Sequence, residues 1–534
     1  MSRRVLAAVL LLCAPATRAV HGQLRPVGGR AEVFAGSEIE NYLRVLQIAG
    51  RVASYPWSLR AFSPGELDRM LPPDTTHPWL KRYDLARRGE PPFLEPVRPG
   101  LTVFGNTAFP YGSNDGAIWA GRGLTAAVEA GVALRRGPLS VTLAPIAFWA
   151  QNAAFRLMPN GEERRLVYAD GVHPAAIDLP QRFGARPYAV LDPGQSTARL
   201  DAGGVAVGVS TGNQYWGPAR EYPIMLGNNA AGFPHLFLGT SRPVDLWILR
   251  VHGRVVWGRL SQSDYSIETA GGGVRFGTGL VLVLTSRWVP GLEIGASRFA
   301  HLAWPGSSLS LRHFLIPVTS QRTEHLQETT RDNQLGSLFF RWVHPRSGVE
   351  VYAESGREDY WLDLRDLVLE PDHIGGYMVG FAKVLADGSS LRVLRAEVQN
   401  LQFSVLAQGR GWTPFYVHSS TVRQGHTQRG QILGSSAGFG GAGAIIALDT
   451  YHPGGRWTLS WSRVLRRQGG AFASDSVVDP RGLDVMHALS WNALFFRGRY
   501  DVTAGLTAVY ELNRDFRGDA VNFNATLGLR AAWR

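Results

Sequence analysis

From Tyr500 to Leu512 the chain reads YDVTAGLTAVYEL, and its residues sort into two rows. Tyr500, Val502, Ala504, Leu506, Ala508, Tyr510 and Leu512 form one row, while Asp501, Thr503, Thr507 and Glu511 lie in the other. Side chains alternate across a strand, so a period of two is a strand signal. Soluble strands usually run about five or six residues, whereas a membrane-crossing strand needs about nine to eleven. The same pattern recurs. Leu124, Ala126, Val128, Ala130, Val132 and Leu134 form one row, then Arg136-Gly137-Pro138 turns the chain and Leu139, Val141 and Leu143 resume it. Near the end, Val521, Phe523, Ala525, Leu527, Leu529, Ala531 and Trp533 face away from Asn522, Asn524, Thr526 and Arg530. Trp457, Leu459 and Trp461 add another row, and several rows carry Trp or Tyr near their ends, as a membrane interface favours.

In lipid every backbone amide must be satisfied within the protein, so strands that cross a bilayer close into a barrel. The expected fold is therefore an all-β transmembrane barrel. At roughly 22 to 27 residues per strand and loop, residues 101–534 provide about 16 to 20 antiparallel strands. A soluble sandwich or propeller is the other reading, but no blade-like repeat is present.

The N-terminus agrees with export. Arg3 and Arg4 precede the apolar run Val5–Ala14, and small and polar residues follow to Gln23. This predicts a signal peptide over residues 1–23. The apolar run is too short for a membrane anchor, and the large Leu12 before Cys13 argues against a lipidated cysteine. Cys13 is the single cysteine, so the mature chain is expected to hold together without disulfides. The formal charge is +12, carried almost entirely by arginine, with Lys81 and Lys383 the only lysines. In an exported chain this does not point to nucleic acid. No later apolar run approaches the ~20 residues of a helical membrane span.

Residues 24–100 are expected to form a small helical unit at the periplasmic mouth. Ser37…Glu40 and Ser63-Pro64-Gly65-Glu66 have the spacing of capping boxes. Alternation then lapses over about 151–200, a Pro-, Gly- and charge-rich stretch expected to be a long loop, and after the short strand GGVAVGVS comes TGNQYWGPAREYPIMLGNN (Thr211–Asn229).

The segments IDLPQRFG, LDPGQS, GVSTGNQYWGPAREYPIMLGNNAAGFPHLFLGTSRP and FYVHSSTVRQGHTQRGQILGSSAGF resemble the motifs of the capsule assembly Wzi family. The likeness is strongest over 177–243 and 411–439, and it includes His426 and Arg429. It implies an outer-membrane barrel of about 18 strands, with a helical bundle at its periplasmic mouth, that binds capsular or other exopolysaccharide at the cell surface. Outer-membrane lipid would be its other partner.

Within Thr211–Asn229, Tyr215, Trp216 and Tyr222 offer aromatic faces for sugar rings. Asn228 and Asn229 offer amides for hydroxyls, and Arg220 a partner for acidic groups. Each also has a purely structural reading: Gly217-Pro218 makes a tight turn, Trp216 fills the lumen, and Arg220 pairs with Glu221 or a wall carboxylate. No catalytic residue, cofactor or metal is expected. Glu358, Asp359, Asp363 and Asp366 read as a charged loop rather than a glycosidase pair, and His418 beside Ser419-Ser420 lacks a nucleophile elbow. A diffusion porin, or an enzyme acting on glycans or lipids, stands as the alternative function.

Overall fold

The computed structural model describes residues 32–70, 78–83, 93–267, 273–306, 309–319, 332–358, 368, 375–387, 389–402, 404, 414–418, 422–468 and 482–532. The expected signal peptide lies outside these residues.

One closed antiparallel sheet dominates. Its strands are β1 (Leu94–Asn106), β2 (Gly123–Arg136), β3 (Leu139–Leu143 and Ile146–Ala150), β4 (Tyr188–Asp192 and Thr197–Ala202), β5 (Val205–Ser210) and β6 (His235–Thr240 and Val244–Leu246). They continue as β7 (Leu249–Ser261), β8 (Val274–Ser286), β9 (Leu292–Ala303), β10 (Asp332–His344), β11 (Val349–Glu358) and β12 (Gly375–Asp387). The last six are β13 (Ser390–Asn400), β14 (Ala442–His452), β15 (Gly455–Gln468), β16 (Leu483–Arg497), β17 (Tyr500–Leu512) and β18 (Ala520–Ala531). With each broken strand counted once the ring has 18 strands, and β1 pairs with β18 to close it.

Two expected boundaries move. The first strand begins at Leu94 rather than 101, and β4 occupies the end of the stretch read as a loop to 200. Pro193 and Gly194 break β4 in the middle, which hides its alternation from a simple period count.

Alternation decides which face is apolar. In β17, Leu506, Tyr510 and Leu512 are exposed, while Asp501, Thr507 and Glu511 are buried. Leu489, Phe523 and Leu527 are likewise exposed on the two neighbouring strands, and Leu338 on β10. An apolar exterior around a polar interior inverts a soluble protein and suits a lipid surround. The strand ends differ as well. Connections such as 137–138, 203–204, 453–454 and 498–499 are short at one end, while 107–122, 151–187 and 211–234 are long at the other.

At the short-turn end sits the helical unit: α1 (Glu38–Ile48), α2 (Pro64–Met70) and α3 (Pro78–Arg82). Ser63 and Glu66 make a reciprocal capping box, Glu66 N donating to Ser63 Oγ and Ser63 N donating to Glu66 Oε2. At α1 the Ser37 hydroxyl caps Glu40 N, but the Glu40 carboxylate reaches back to Gly36 N. Tyr42, Leu43, Leu46, Phe62 and Trp79 then pack against the wall residues Val343, Val384, Leu391, Tyr451 and Leu494.

Charge locks the unit in place. Glu350 on β11 is fully buried, and its carboxylate receives Arg44 of α1 at 3.0 Å, Arg341 of β10 and Arg220 of the inward loop at 3.1 Å. Arg341 also meets Glu293 of β9, which accepts Trp57 N at 2.9 Å and Ser58 N at 3.1 Å. Removing one partner of a buried ion network leaves the others uncompensated, at about 3–5 kcal/mol. Glu350→Gln is therefore expected to lower urea stability by about that much and to expose residues 32–70 to protease. A variant as stable and as protected as the parent would refute this.

Candidate functional site

The connection 211–234 leaves β5 and folds into the lumen rather than outward. Trp216, Ile224, Met225, Leu226 and Phe233 form a buried core with the wall residues Phe237, Val256, Val283, Phe299, Leu335 and Phe339. Backbone groups are matched by a wall carboxylate: Glu397 on β13 accepts the N–H groups of Arg220 (2.7 Å), Glu221 (3.0 Å) and Tyr222 (2.7 Å). Three donors converging on one carboxylate fix the turn without a regular element.

The two plugging parts hold each other. The Arg60 guanidinium lies 3.9 Å over the Tyr215 ring and donates to Gly217 O and Ala219 O. Residues Leu59–Arg60 pair with Tyr215–Trp216 as a short antiparallel bridge. Gly217 is glycine for a reason: its φ is +87°, and a Cβ there would meet Glu354 Oε2 at 2.5 Å.

Each residue singled out in this stretch has a definite place. Tyr215 donates from its hydroxyl to Arg220 O, Trp216 is wholly buried in the lumen, and Arg220 pairs with the wall carboxylate Glu350. Asn228 donates to Ala35 O and Asn229 to Ile432 O. These are structural duties. Tyr215, Arg220, Tyr222 and Asn228 nevertheless also border an inner cavity of about 600 Å³, and Asn229 borders an outer one of about 230 Å³. Trp216 borders neither.

A second inward segment pins the first. His426 faces His301 of β9 through Nδ1 at 2.8 Å and Met225 O through Nε2 at 2.6 Å. Burial holds the His426 imidazole down, to about 3, despite its hydrogen bond to Met225, so it stays neutral. Arg429 pairs with Asp192, and His418 lies 2.8 Å from Glu358. Asp359, Asp363, Asp366, Ser419 and Ser420 lie outside the described residues. Among the described residues no group of three or more His, Cys, Asp or Glu is placed to hold a metal ion.

The outer cavity lies at the long-loop end. Tyr111, Trp119, Phe155 and Phe439 supply aromatic surface to it, and Arg466, Arg467 and Arg514 supply guanidinium groups. Each arginine is oriented by carboxylates: Arg466 by Glu511 (2.6 Å), Arg467 by Asp170 (3.1 Å) and Asp515 (2.9 Å), and Arg514 by Glu511 (2.5 Å). Sequence reading passed over these residues, because they come from four irregular segments and the end of β15. The Arg466-Arg467 doublet at a strand end was the available signal. Fixed ion pairs beside aromatic rings can hydrogen-bond hydroxyls and stack on apolar ring faces without net attraction for charge.

Between the cavities runs the segment Pro110–Asp115. Burial pushes the Asp115 carboxyl up to about 7, against a backbone hydrogen bond from Ser113 that lowers it. A carboxyl whose folded value lies above its unfolded one contributes stability that is complete below the unfolded value, about 3.9, and is lost as pH rises through the folded one. Amide exchange in 107–122 is thus expected to quicken as pH rises from about 4 to about 7, beyond its intrinsic dependence, and to gain no further excess above that. Asp115→Asn should remove that excess; an identical profile in the variant would count against it. Separately, Gly217→Ala is expected to destabilise the barrel by about 1–3 kcal/mol, the usual cost of a strained left-handed residue. Chemical unfolding checks this, and an unchanged midpoint would overturn it.

In a structural search the Escherichia coli outer-membrane protein Wzi, described as a carbohydrate-binding β-barrel involved in group 1 capsule assembly, matches with a TM-score of 0.63. The match covers 94% of this chain and 99% of that one, at 14% sequence identity, a likeness of fold. Acinetobacter baumannii OccAB3 also matches (TM-score 0.38, 10% identity, 81% of this chain and 98% of that one), too weakly to carry an argument. No curated protein sequence matches. The family model described as capsule assembly protein Wzi matches residues 132–508, and the chain belongs to that family.

Proposed function

We propose that this protein is an exported barrel of the bacterial outer membrane that binds capsular or other surface polysaccharide and holds it at the cell surface. It acts by binding rather than by catalysis. The observation that carries the reading is the outer cavity, where aromatic rings and carboxylate-oriented arginines meet at the long-loop end. Family membership and the described carbohydrate binding of the Escherichia coli relative support the same function. The short-turn end, with the helical unit, then faces the periplasm, in keeping with the short periplasmic turns of bacterial barrels.

A diffusion porin would need an open lumen. Here α1 to α3 and the connection 211–234 fill one side of it from both ends with apolar packing. Planar-bilayer conductance is accordingly expected to be far below that of an open barrel of this strand number.

Titrating the folded barrel with the host's high-molecular-weight surface polysaccharide tests the proposal. Saturable binding is expected, weakened about tenfold, or about 1.4 kcal/mol, by Trp119→Ala or Arg467→Ala. Trp216→Ala is expected to act chiefly by lowering stability. No binding by the folded parent protein would sink the reading.

A further inference from the structure

The lumen has a dry side and a wet side. Walls β6 to β11 meet the inward loop with Phe237, Val256, Phe299, Leu335, Phe339 and Tyr352. Walls β15 to β18 carry small neutral polar groups instead, and the strand register sets them in rows. Ser460 lies opposite Ser490, Ser490 opposite Thr507, and Thr507 opposite Asn524. One step along, Thr458 lies opposite Asn492, Asn492 opposite Gly505, and Gly505 opposite Thr526. All of them line the inner cavity. Gly505 keeps the second row open, since a Cβ there would come within 2.6 Å of Asn492 Oδ1.

Apart from Asp115, a buried carboxyl with only a backbone hydrogen bond from Ser113, the charged groups around this cavity are already committed. Arg456 holds Glu38, Arg395 holds Glu221 and Asp449, Arg220 holds Glu350, and Arg60 faces Glu40. The hydroxyls of Ser460 and Ser462 and the amide of Asn492 have no protein partner among the described residues. What remains on offer is these three groups and the spare lone pairs and donors of hydroxyls and amides already paired in the wall, such as Thr507 with Ser490 and Asn524 with Asn106, with Tyr111, Tyr215 and Tyr222 at the borders. Its volume, about 600 Å³, lies within the range of small-ligand sites. Uncharged donors and acceptors beside aromatic faces match an uncharged polyhydroxylated chain better than a polyanion, which would have to displace existing ion pairs.

We propose that the inner cavity is a second saccharide site, taking a short uncharged segment of glycan along the wall of β15 to β18. Pro110–Asp115 is the partition through which that segment passes from the outer cavity. Both cavities are lined by Pro110 to Ser113 and Asp115, together with Ser436 and Arg466. The partition is tethered lightly to the inward loop, by Gly116 N to Asn228 O and Asn114 Nδ2 to Glu221 O. This inference rests on the reading that the protein binds polysaccharide.

Cys13, the single cysteine, lies in the expected signal peptide, so a barrel beginning at residue 24 carries no competing native thiol and a direct test is simple. In that background, Ser460→Cys and, separately, Ser462→Cys are folded and treated with a small cationic methanethiosulfonate. Maltotriose, cellotriose, mannotriose or trigalacturonate is added at millimolar concentration. At least one neutral trisaccharide is expected to slow modification of the introduced thiol about threefold or more, as two-thirds occupancy would. Trigalacturonate should slow it less. Trp119→Ala in the same background should leave this protection in place while weakening binding of the long polysaccharide. The inference is overturned if both thiols react equally fast with and without every neutral trisaccharide, if both react only after denaturation, or if trigalacturonate protects best. Polysaccharide binding by the parent protein, measured alongside, separates the two failures: binding without thiol protection sinks the inner site alone, and loss of both sinks the functional reading too.

Discussion

A carboxylate without solvent contact, Glu350 on β11, holds arginines from three separate parts of the chain: Arg44 of the helical unit, Arg341 of the adjoining strand and Arg220 of the inward loop. An isolated charge in such an interior is strongly unfavourable, so each group needs the others in position. The barrel wall, the helical unit and the inward loop are therefore placed together or not at all. Glu293 and Glu397 extend the same logic, offering carboxylate oxygens to the backbone of Trp57–Ser58 and of Arg220–Tyr222. The backbone of these irregular segments is satisfied by wall carboxylates where a helix or sheet would have satisfied itself.

Filling the lumen from one side has a consequence for chemistry. Where the inward segments meet β6 to β11, apolar side chains of loop and wall pack against one another. Where they do not reach, along β15 to β18, the wall is Ser, Thr and Asn, and space remains. The outer cavity continues that space toward the long-loop end, with rings and oriented ion pairs in place of plain hydroxyls. Binding surface lies where the packed plug stops, a division of labour that lets a rigid interior support polar sites at its edge.

Much of this was legible in the residues. The exposed row of β17 is the apolar row of its sequence, and Ser63…Glu66 closes the capping box its spacing announced. Of the two partners offered by the structural reading of Arg220, Glu221 or a wall carboxylate, the one it pairs with is the wall residue Glu350. Less legible was β4, because Pro193 and Gly194 interrupt its period. The outer cavity was not legible either. Tyr111, Trp119, Phe155, Asp170 and Phe439 meet Arg467 at the end of β15 only once the long connections fold over the barrel mouth, and no local period marks residues that belong to irregular segments.

By itself the sequence determined that a barrel must form, because long runs with period two and an apolar outer row leave no other way to satisfy the backbone in lipid. It also determined a helical start, through capping residues that act on their own first turns. Only the tertiary structure decided which side of the lumen is packed and which stays open. That choice depends on contacts between residues hundreds of positions apart, such as Arg44 with Glu350 and Arg456 with Glu38, whose energies exist only when both partners have left water together.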